Sequence, residues 1–301
     1  MERDLAKSLV SAMLSKKRML LPLENIPKTI DEAYRVQDML KRILVNEHAY
    51  TLAGWKVGLT NAAVQQRVGA VEPMFGPIFA QSILPPSTFY PCVNKFRGIE
   101  AEFMVEMKEN CKPLPSHEPH SVAHLLEHNC IKSIRPGVEI CATRFDTNTP
   151  PLLASISDQG QHCGLIVSKS SISPSEFLRY HQENHEIQLQ SLNEAEQAVV
   201  LSTGTSANVL GNPLEAVAWL ANALISSGRY LRAGDVVSTG TMTGMTTFLP
   251  PPPSKTQKGS AFDDASTIYV SFPHLTTFAV SMIPGKTEEE GICLYYNEIS
   301  D

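Results

Sequence analysis

The 301-residue chain lacks several features that would assign it to a functional class at once. Basic charge is scarce, since 25 Lys and Arg stand against 31 Asp and Glu and the net charge is −6, so we expect no nucleic-acid partner. No apolar run reaches the length of a membrane span, so we expect no membrane insertion. None of the six cysteines forms a Cys-x-x-Cys pair, which argues against a zinc ribbon and a thioredoxin-like redox site.

The first 23 residues also lack a long apolar segment, and they carry the acidic residues Glu2 and Asp4. A secretory signal needs such a segment, and a transit peptide is poor in acidic residues. We therefore expect a cytoplasmic protein whose thiols are reduced.

The distribution of apolar residues predicts an α+β protein. Helical spacing predicts helices over residues 3–20 and 29–46, and Thr29 with Glu32 has the spacing of a capping box at the start of the second. Residues 73–84 are rich in Pro, Gly and Phe and are interpreted as irregular. Many strands and a few helices follow, without the regular alternation that a βαβ fold would show.

The chain therefore divides, in our interpretation, into two parts. Residues 1–84 are predicted to form a mainly helical N-terminal cap, and residues 85–301 a second domain rich in strands. A loop is predicted at 249–259, which contains four consecutive prolines.

Residues 96–105 read as a strand that carries two carboxylates, Glu100 and Glu102. Side chains alternate along a strand, so these two share one face while the apolar residues between and beside them share the other. Two like charges on one face repel unless a positive charge lies between them, and a divalent cation such as Mg²⁺ takes oxygen ligands. The alternative is a solvated strand face with two exposed Glu side chains.

Two further charged residues lie in apolar strands. Glu139 lies between Val138 and Ile140, where it is either a third metal ligand or the acidic partner of a nearby Arg. Lys56 lies in a strand with glycines close on either side, and it either binds an anionic substrate oxygen or extends to solvent beside Trp55.

Other patterns carry weaker signals. Residues 124–128 match His-x-x-Glu-His, the reversed order of a zinc peptidase motif, but the sequence offers no evident third ligand. The turns at 204–206 and 240–244 are rich in Gly and Thr, but they lack the Lys of a phosphate-binding loop and the Gly-x-Ser-x-Gly of a nucleophile elbow.

Taken together, the motifs resemble the 2-keto-4-pentenoate hydratase branch of the fumarylacetoacetate hydrolase superfamily, a branch that includes hydratases and decarboxylases. The matching segments occur in family order over roughly residues 30–285. They are Gly54–Thr60, Val64–Gln66, Phe75–Gly76, Arg97–Glu102, Gly137–Ile140, Ser157–Gln159, Leu210–Leu214, Ala218–Leu220, Ala233–Asp235 and Thr239–Gly240.

The resemblance implies a mixed β-roll behind the helical cap and a divalent-metal site that holds Mg²⁺ or Mn²⁺. Its implied metal ligands are Glu100, Glu102 and Glu139; its implied catalytic residues are Lys56 and Asp158; and its implied substrate-binding residues are Leu59, Gln161 and Thr239.

The implied reaction is hydration of a 2-hydroxy-2,4-dienoate to a 4-hydroxy-2-oxo acid through a metal-stabilised enolate. Decarboxylation of a 2-oxo-3-enedioate and hydrolysis of an acylpyruvate pass through a similar charge, so the same site serves them equally. A catalytically silent partner subunit is a further alternative. The resemblance also implies a homo-oligomer, or association with a homologous hydratase or decarboxylase.

The chain departs from the family pattern at several positions that are expected to border the substrate. They are Gln81, Gln159, Gln161, His162 and Asn212.

Overall fold

Two six-stranded sheets follow an N-terminal pair of helices in the computed structural model. The structure describes residues 1–21, 24, 26–85, 90–92, 95–147, 149–193, 195–247, 266–284 and 292–299. The helices are α1 (Glu2–Ser15), α2 (Ile30–Glu47), α3 (Ala62–Val68), α4 (Val122–Glu127), α5 (Leu152–Ser157), α6 (Pro174–Glu183) and α7 (Pro213–Ser226). The strands are β1 (Leu52–Gly58), β2 (Met74–Phe79), β3 (Tyr90–Cys92), β4 (Lys95–Met107), β5 (Ile131–Thr143), β6 (His162–Val167), β7 (Ile187–Leu192), β8 (Ala198–Gly204), β9 (Val236–Ser238), β10 (Ser266–Phe272), β11 (Thr276–Pro284) and β12 (Ile292–Ile299).

The first sheet has the order β2-β1-β9-β4-β5-β6, and the second has the order β3-β12-β11-β10-β7-β8. In the first sheet β1 and β9 run parallel, and every other neighbouring pair is antiparallel. The second sheet is antiparallel throughout. The prediction of an α+β fold with a mixed sheet is therefore confirmed.

The apolar face of β4 packs into the core between the two sheets. Phe103 has no exposed surface, and its ring makes edge contacts with Phe177 and Tyr180 of α6 and with Phe272 of the second sheet. Such edge-to-face pairs add to the free energy gained by burying the rings. This packing fixes the orientation of β4, so its other face, with Glu100 and Glu102, points away from that core.

The two N-terminal helices pack against each other and against the edge of the first sheet. Thr29 caps α2 by accepting a hydrogen bond from the backbone N–H of Glu32, while the Glu32 carboxylate accepts from the N–H of Lys28. Helix α1 ends at Ser15, five residues earlier than predicted, because Lys16 adopts a left-handed conformation with φ 57°.

One predicted irregular segment is a strand. Within residues 73–84, β2 runs from Met74 to Phe79 with every residue buried. It lies at the edge of the first sheet, where β1 is its one neighbour in the sheet order, and edge strands are where proline is tolerated in a sheet. The Pro and Gly content that indicated a loop is thus accommodated by an edge strand.

Strands β1 and β2 come from the predicted cap, yet they belong to the same sheet as β4, β5 and β6. A division of the chain at residue 84 would cut through this sheet, and the two-part organisation stays a prediction. The predicted proline-rich loop at 249–259 lies outside the described residues. None of the helices in the described part of the chain combines the length and hydropathy needed to cross a bilayer.

Candidate metal centre

The pairing of β4 with β5 brings two carboxylates together. In this antiparallel pair Glu100 lies directly opposite Glu139, and Glu102 lies opposite Gly137. Like charges at directly opposed positions destabilise a sheet unless another group compensates them. The register therefore places a local excess of negative charge on the sheet face that points away from the core.

Lys56 provides one compensating charge. Its Nζ lies 3.0 Å from Oε2 of Glu139 and donates a second hydrogen bond, of 3.1 Å, to the carbonyl of Gly160. Strand β1 is three positions from β5 in the sheet order, roughly 14 Å in a flat sheet. The first sheet must therefore curl for these two side chains to meet.

Burial and charge act in opposite directions on this pair. Burial lowers the pKa of Lys56, but the Glu139 carboxylate more than reverses this and the net pKa is raised, so Lys56 is a cation. Burial raises the pKa of Glu139, but the Lys56 ammonium and the hydrogen bond with His162 outweigh it and hold that pKa at about 2. Glu139 is therefore ionised in spite of being completely buried.

His162 occupies the other oxygen of Glu139. Its Nδ1 lies 2.8 Å from Oε1 of Glu139, and its Nε2 lies 2.9 Å from the hydroxyl oxygen of Ser82. Burial lowers the pKa of His162, which favours the neutral imidazole with the proton on Nδ1. Both carboxylate oxygens of Glu139 are thus oriented by donors, one from β1 and one from β6.

Glu102 is buried with only one of its oxygens hydrogen-bonded. Oε2 accepts from the backbone N–H of Gly240 at 3.0 Å and from the hydroxyl of Ser238, while Oε1 has no hydrogen-bond partner among the described residues. Burial, followed by the charges of Glu139 and Glu100, raises the pKa of Glu102 well above its usual value. A cation would remove the cost of ionising this carboxylate and would satisfy Oε1.

Glu100 and Cys141 complete the cluster. Burial and the neighbouring Glu139 raise the pKa of Glu100 to about 7, and the thiol of Cys141 forms a hydrogen bond with its carboxylate. Ligand atoms of Glu100, Glu139 and Cys141 all lie within 4.8 Å of one another. The sequence reasoning missed Cys141, although its place two residues after Glu139 on a strand predicts the same sheet face.

The arrangement fits a divalent cation. Two of the three predicted ligands, Glu100 and Glu139, lie in the close cluster, and Glu102 lies two residues along the same strand face with an unpartnered oxygen. Carboxylate oxygens are the ligands that Mg²⁺ and Mn²⁺ prefer. The orphaned Oε1 of Glu102 is the observation that a cation explains and a salt bridge does not.

Asp158 takes part in a separate ion pair. Its Oδ1 lies 3.3 Å from Nη1 of Arg144, and its Oδ2 accepts from the backbone N–H of Arg144 at 2.9 Å and from the hydroxyl of Thr143 at 3.3 Å. Burial raises the pKa of Asp158 to about 6, against the lowering effect of Arg144. The structure therefore directs this carboxylate toward Arg144, and the turn that contains Gly160 connects it to Lys56.

The predicted substrate-binding residues differ in how they are placed. Gln161 accepts a hydrogen bond from the guanidinium of Arg97 and donates one of 2.8 Å to the hydroxyl of Ser155. The hydroxyl of Thr239 donates to the carbonyl of Phe103 at 3.0 Å. Leu59 is half-buried, with a left-handed φ of 58°, immediately after β1.

Arg97 also belongs near the centre. It is half-buried on β4, three residues before Glu100, and burial lowers its pKa while the charges of Cys141 and Glu100 oppose that change. Its guanidinium is thus a second cation, besides the Lys56 ammonium, near the carboxylates of the cluster.

Several features named by the sequence lie apart from this centre. Gln81 is exposed and hydrogen-bonds the backbone of Ala49 and Thr51. The rings of His124 and His128 lie 4.1 Å apart at α4, and among the described residues neither belongs to a group of three side chains close enough to hold a metal. A cavity of about 750 Å³ between α2 and α7 contains none of the predicted site residues.

Comparisons with known proteins were made at the level of sequence and of structure. No family model matches the sequence. The chain is 26% identical over 251 residues to a 2-keto-4-pentenoate hydratase of Paraburkholderia xenovorans, which covers 82% of this chain and 87% of that protein. It is 28% identical over 223 residues to a 2-oxo-hept-4-ene-1,7-dioate hydratase of Escherichia coli, covering 71% and 78% of the two chains.

Among solved structures, the 4-oxalocrotonate decarboxylase of Pseudomonas putida G7 superposes with a TM-score of 0.74 at 22% identity, covering 92% of this chain and 95% of that one. That enzyme was crystallised with magnesium and adipate, and in a second structure with calcium and acetate. This likeness shows a shared fold. The resemblance indicated by the motifs is thus confirmed: the chain is similar in sequence to the 2-keto-4-pentenoate hydratases, and it shares the fold of the 4-oxalocrotonate decarboxylase.

Proposed function

We propose that this protein is a divalent-metal-dependent hydratase, a carbon–oxygen lyase that adds water to a 2-hydroxy-2,4-dienoate and releases a 4-hydroxy-2-oxo acid. One observation carries the proposal: a buried cluster of acidic side chains with a protonated Lys56 lies in a chain that is 26% identical to a 2-keto-4-pentenoate hydratase over 82% of its length. Association of the chain with itself or with a homologous enzyme, and a cytoplasmic location, stay predictions.

Glu100, Glu102 and Glu139 are the residues that would hold the cation, Mg²⁺ or Mn²⁺. The unpartnered Oε1 of Glu102 and the close approach of Glu100 to Glu139 support this assignment. When bound, the cation would supply Lewis-acid chemistry toward the 2-oxo and carboxylate oxygens of the substrate.

Lys56 acts as a fixed positive charge in this proposal. The Glu139 carboxylate raises the pKa of Lys56, which favours the protonated ammonium. Among the described residues, two of its three N–H groups donate to Glu139 and Gly160, and in this proposal the third donates to the substrate oxygen on which negative charge develops.

Asp158 is a positioning residue in this proposal rather than a proton-transfer group. Its ion pair with Arg144 holds the start of the turn 158–160, and the carbonyl of Gly160 at the end of that turn accepts from Lys56. Gln161 and Arg97, which are hydrogen-bonded to each other, would contact the substrate, and Leu59 and Thr239 are further candidates for that role.

Decarboxylation of a 2-oxo-3-enedioate is a second candidate because Arg97 suits a diacid substrate, a contact that hydration of a diacid would use equally. A diacid substrate presents a second carboxylate, and Arg guanidinium groups bind carboxylates in a bidentate geometry. The half-buried Arg97 is a cation suited to that group.

The test compares the two reactions on one preparation. The full chain, stripped with a chelator and reloaded with Mg²⁺ or Mn²⁺, is given 2-hydroxypenta-2,4-dienoate while the dienol absorbance is followed, and a 2-oxo-3-enedioate while CO₂ is followed. A hydratase depletes the dienol and releases no CO₂ from the diacid.

The matched variants are Glu102→Gln and Glu106→Gln, which make the same substitution at two positions of strand β4. We expect the first to abolish turnover and the second, whose carboxylate pairs with the exposed Lys132, to leave it unchanged. Turnover that survives both chelation and Glu102→Gln would overturn the proposal. A complete lack of turnover of any such acid by the metal-loaded chain would favour the silent-subunit alternative.

A further inference from the structure

The cavity of about 750 Å³ between α2 and α7 has no part in the proposed function. Its volume lies in the range of pockets that hold small organic ligands. Its lining contains none of the carboxylates of the candidate metal centre, and Lys56 is also absent from it. The cavity is therefore separate from that centre, and its own side chains decide which ligand it can take.

Part of the cavity wall is aromatic. Tyr34 of α2 stacks on Phe75 of β2 with ring centroids 4.4 Å apart, and the ring of Trp219 on α7 lies 6.3 Å from that of Phe75. Tyr34 and Trp219 are only half-buried, so a planar ligand can pack against them. The Tyr34 hydroxyl accepts a hydrogen bond of 3.2 Å from the backbone N–H of Phe75, and it donates to no group among the described residues.

Arg229 brings a positive charge to the same cavity. Its guanidinium lies over the rings of Trp55 and Phe75, with Cζ 5.3 Å and 5.6 Å from their centroids, and its Nε donates to the hydroxyl oxygen of Ser227 at 3.0 Å. Its carboxylate contact among the described residues is long, with Nη1 3.5 Å from Oδ1 of Asp38. Burial lowers the pKa of Arg229 more than the charge of Asp38 raises it, so this cation is poorly compensated.

Asp38 cannot neutralise Arg229 because two other cations already hold it. Nζ of Lys41 lies 2.6 Å from Oδ1 of Asp38, and Nε of Arg42 lies 2.8 Å from Oδ2. One carboxylate thus faces three cations, which leaves an excess of positive charge at this end of the cavity. The other charged residues of the lining are exposed, and they are Arg35, which Glu2 binds, Asp31 and Glu72. Water screens exposed charges, so they offset this excess little.

We propose that this cavity binds an aromatic carboxylate, with its carboxylate on Arg229 and its ring against Tyr34 and Trp219. A guanidinium matches the two oxygens of a carboxylate, and the aromatic wall matches a planar ring. The proton of the Tyr34 hydroxyl supplies a further hydrogen bond to the ligand. This site is independent of the proposed function, and the failure of either proposal leaves the other standing.

Both tryptophans of the chain report on this region, since Trp219 lines the cavity and Trp55 lies under Arg229. The experiment titrates benzoate into the metal-free, full-length chain and follows tryptophan emission and calorimetric heat. Removal of the metal keeps the carboxylate from binding to a cation elsewhere. We expect saturable quenching with one equivalent bound. Acetate and benzyl alcohol, which each lack one of the two recognised groups, should bind much more weakly.

Four variants locate the binding. Arg229→Met should weaken benzoate binding about 10-fold, as expected for the loss of a charged hydrogen bond, and Arg229→Lys should restore part of it. Ala223→Phe places a ring inside the cavity and should abolish binding with every charge retained. Arg18→Met is the matched control, because Arg18 pairs with Asp146 outside the cavity, and it should bind as wild type does. Thermal melting establishes that each variant is folded.

Three results would overturn the inference. Wild-type affinity in folded Arg229→Met or Ala223→Phe places benzoate elsewhere, and equal binding of benzyl alcohol removes the role of the carboxylate. Lack of benzoate binding at millimolar concentration, together with a dimer that Ala223→Phe dissociates, assigns this face to a second copy of the chain instead.

Discussion

The ammonium of Lys56 and the carboxylate of Glu139 form a buried ion pair, with Nζ 3.0 Å from Oε2. Their side chains are 4% and 0% exposed, so water screens the pair very little. The two residues come from strands that are not neighbours, and the pair therefore connects β1 to β5 across the concave face of the first sheet. The stability of the fold and the chemistry of the centre depend on the same contact.

Substitution of Lys56 by Met should destabilise the protein strongly. It leaves the Glu139 carboxylate buried without its cation, which costs about 3–5 kcal/mol of the free energy of unfolding in comparable buried pairs. Urea unfolding of the metal-free chain measures this loss. The double variant Lys56→Met with Glu139→Gln removes both charges, and we expect it to be more stable than Lys56→Met alone.

Lys132 provides the matched control for that prediction. It pairs with Glu106 at 2.7 Å, but its side chain is 60% exposed. Exposed pairs contribute about 0–1 kcal/mol, so Lys132→Met should change the free energy of unfolding little. Equal losses in the Lys56 and Lys132 variants would contradict the importance assigned to burial.

The stability of the metal-free protein should fall as pH rises from about 5 to about 8. The pKa of Glu100 is raised from 4.5 to about 7, so the folded state holds this proton more tightly than the unfolded state. The contribution is complete below the unfolded pKa and is lost as pH rises through the folded one. Thermal melting in a chelator across this range should therefore show a decline that Glu100→Gln reduces.

Bound Mn²⁺ should reverse this trend, because the cation favours the ionised carboxylates and its stabilising effect grows with pH. Glu106→Gln is the control, since the hydrogen bond from Lys132 lowers the pKa of Glu106 and its contribution is lost only as pH falls. A melting temperature that does not change with pH in the metal-free chain would argue against a raised pKa at Glu100.

Replacement of His162 by Ala should weaken metal binding without abolishing it. His162 orients Glu139 through a contact of 2.8 Å, and loss of such a partner behind a ligand typically lowers metal affinity about 10–100-fold. Calorimetric titration with Mn²⁺ measures the change. His120→Ala is the control, because His120 is also buried but contacts the carbonyl of Lys112. If the His120 and His162 variants both bind Mn²⁺ with wild-type affinity, the role given to His162 is excluded.

The sequence predicted the parts of this centre that depend on local alternation. Glu100 and Glu102 share a strand face, and the apolar residues beside them are buried on the other, because period-two patterning follows directly from strand geometry. Glu139 was recognised for a related reason, as a carboxylate inside an apolar strand. These inferences needed only neighbours along the chain.

The contacts that cross the sheet could not be predicted in this way. The curl that brings Lys56 to Glu139 is a property of the whole first sheet. The sequences of β1 and β5 alone therefore do not predict this contact. His162 was noted only as a departure from a family pattern, although it directly contacts Glu139. The strand β2 was missed because Pro77 and Gly76 usually indicate a loop. An edge strand tolerates them, but the sequence does not show which strand lies at an edge.

Asp158 offers a test that separates positioning from proton transfer. The Asp158→Asn variant leaves the buried guanidinium of Arg144 without its carboxylate, and we expect a loss of about 3–5 kcal/mol in the free energy of unfolding. Because the carboxylate does not face the metal cluster, Mn²⁺ affinity should stay at the wild-type value. Adding Arg144→Met to this variant removes the buried guanidinium as well and should restore part of the stability. If Asp158 is instead catalytic, the opposite pattern is expected. The Asp158→Asn variant then keeps wild-type stability and loses turnover at every pH, and replacing Arg144 as well does not restore turnover.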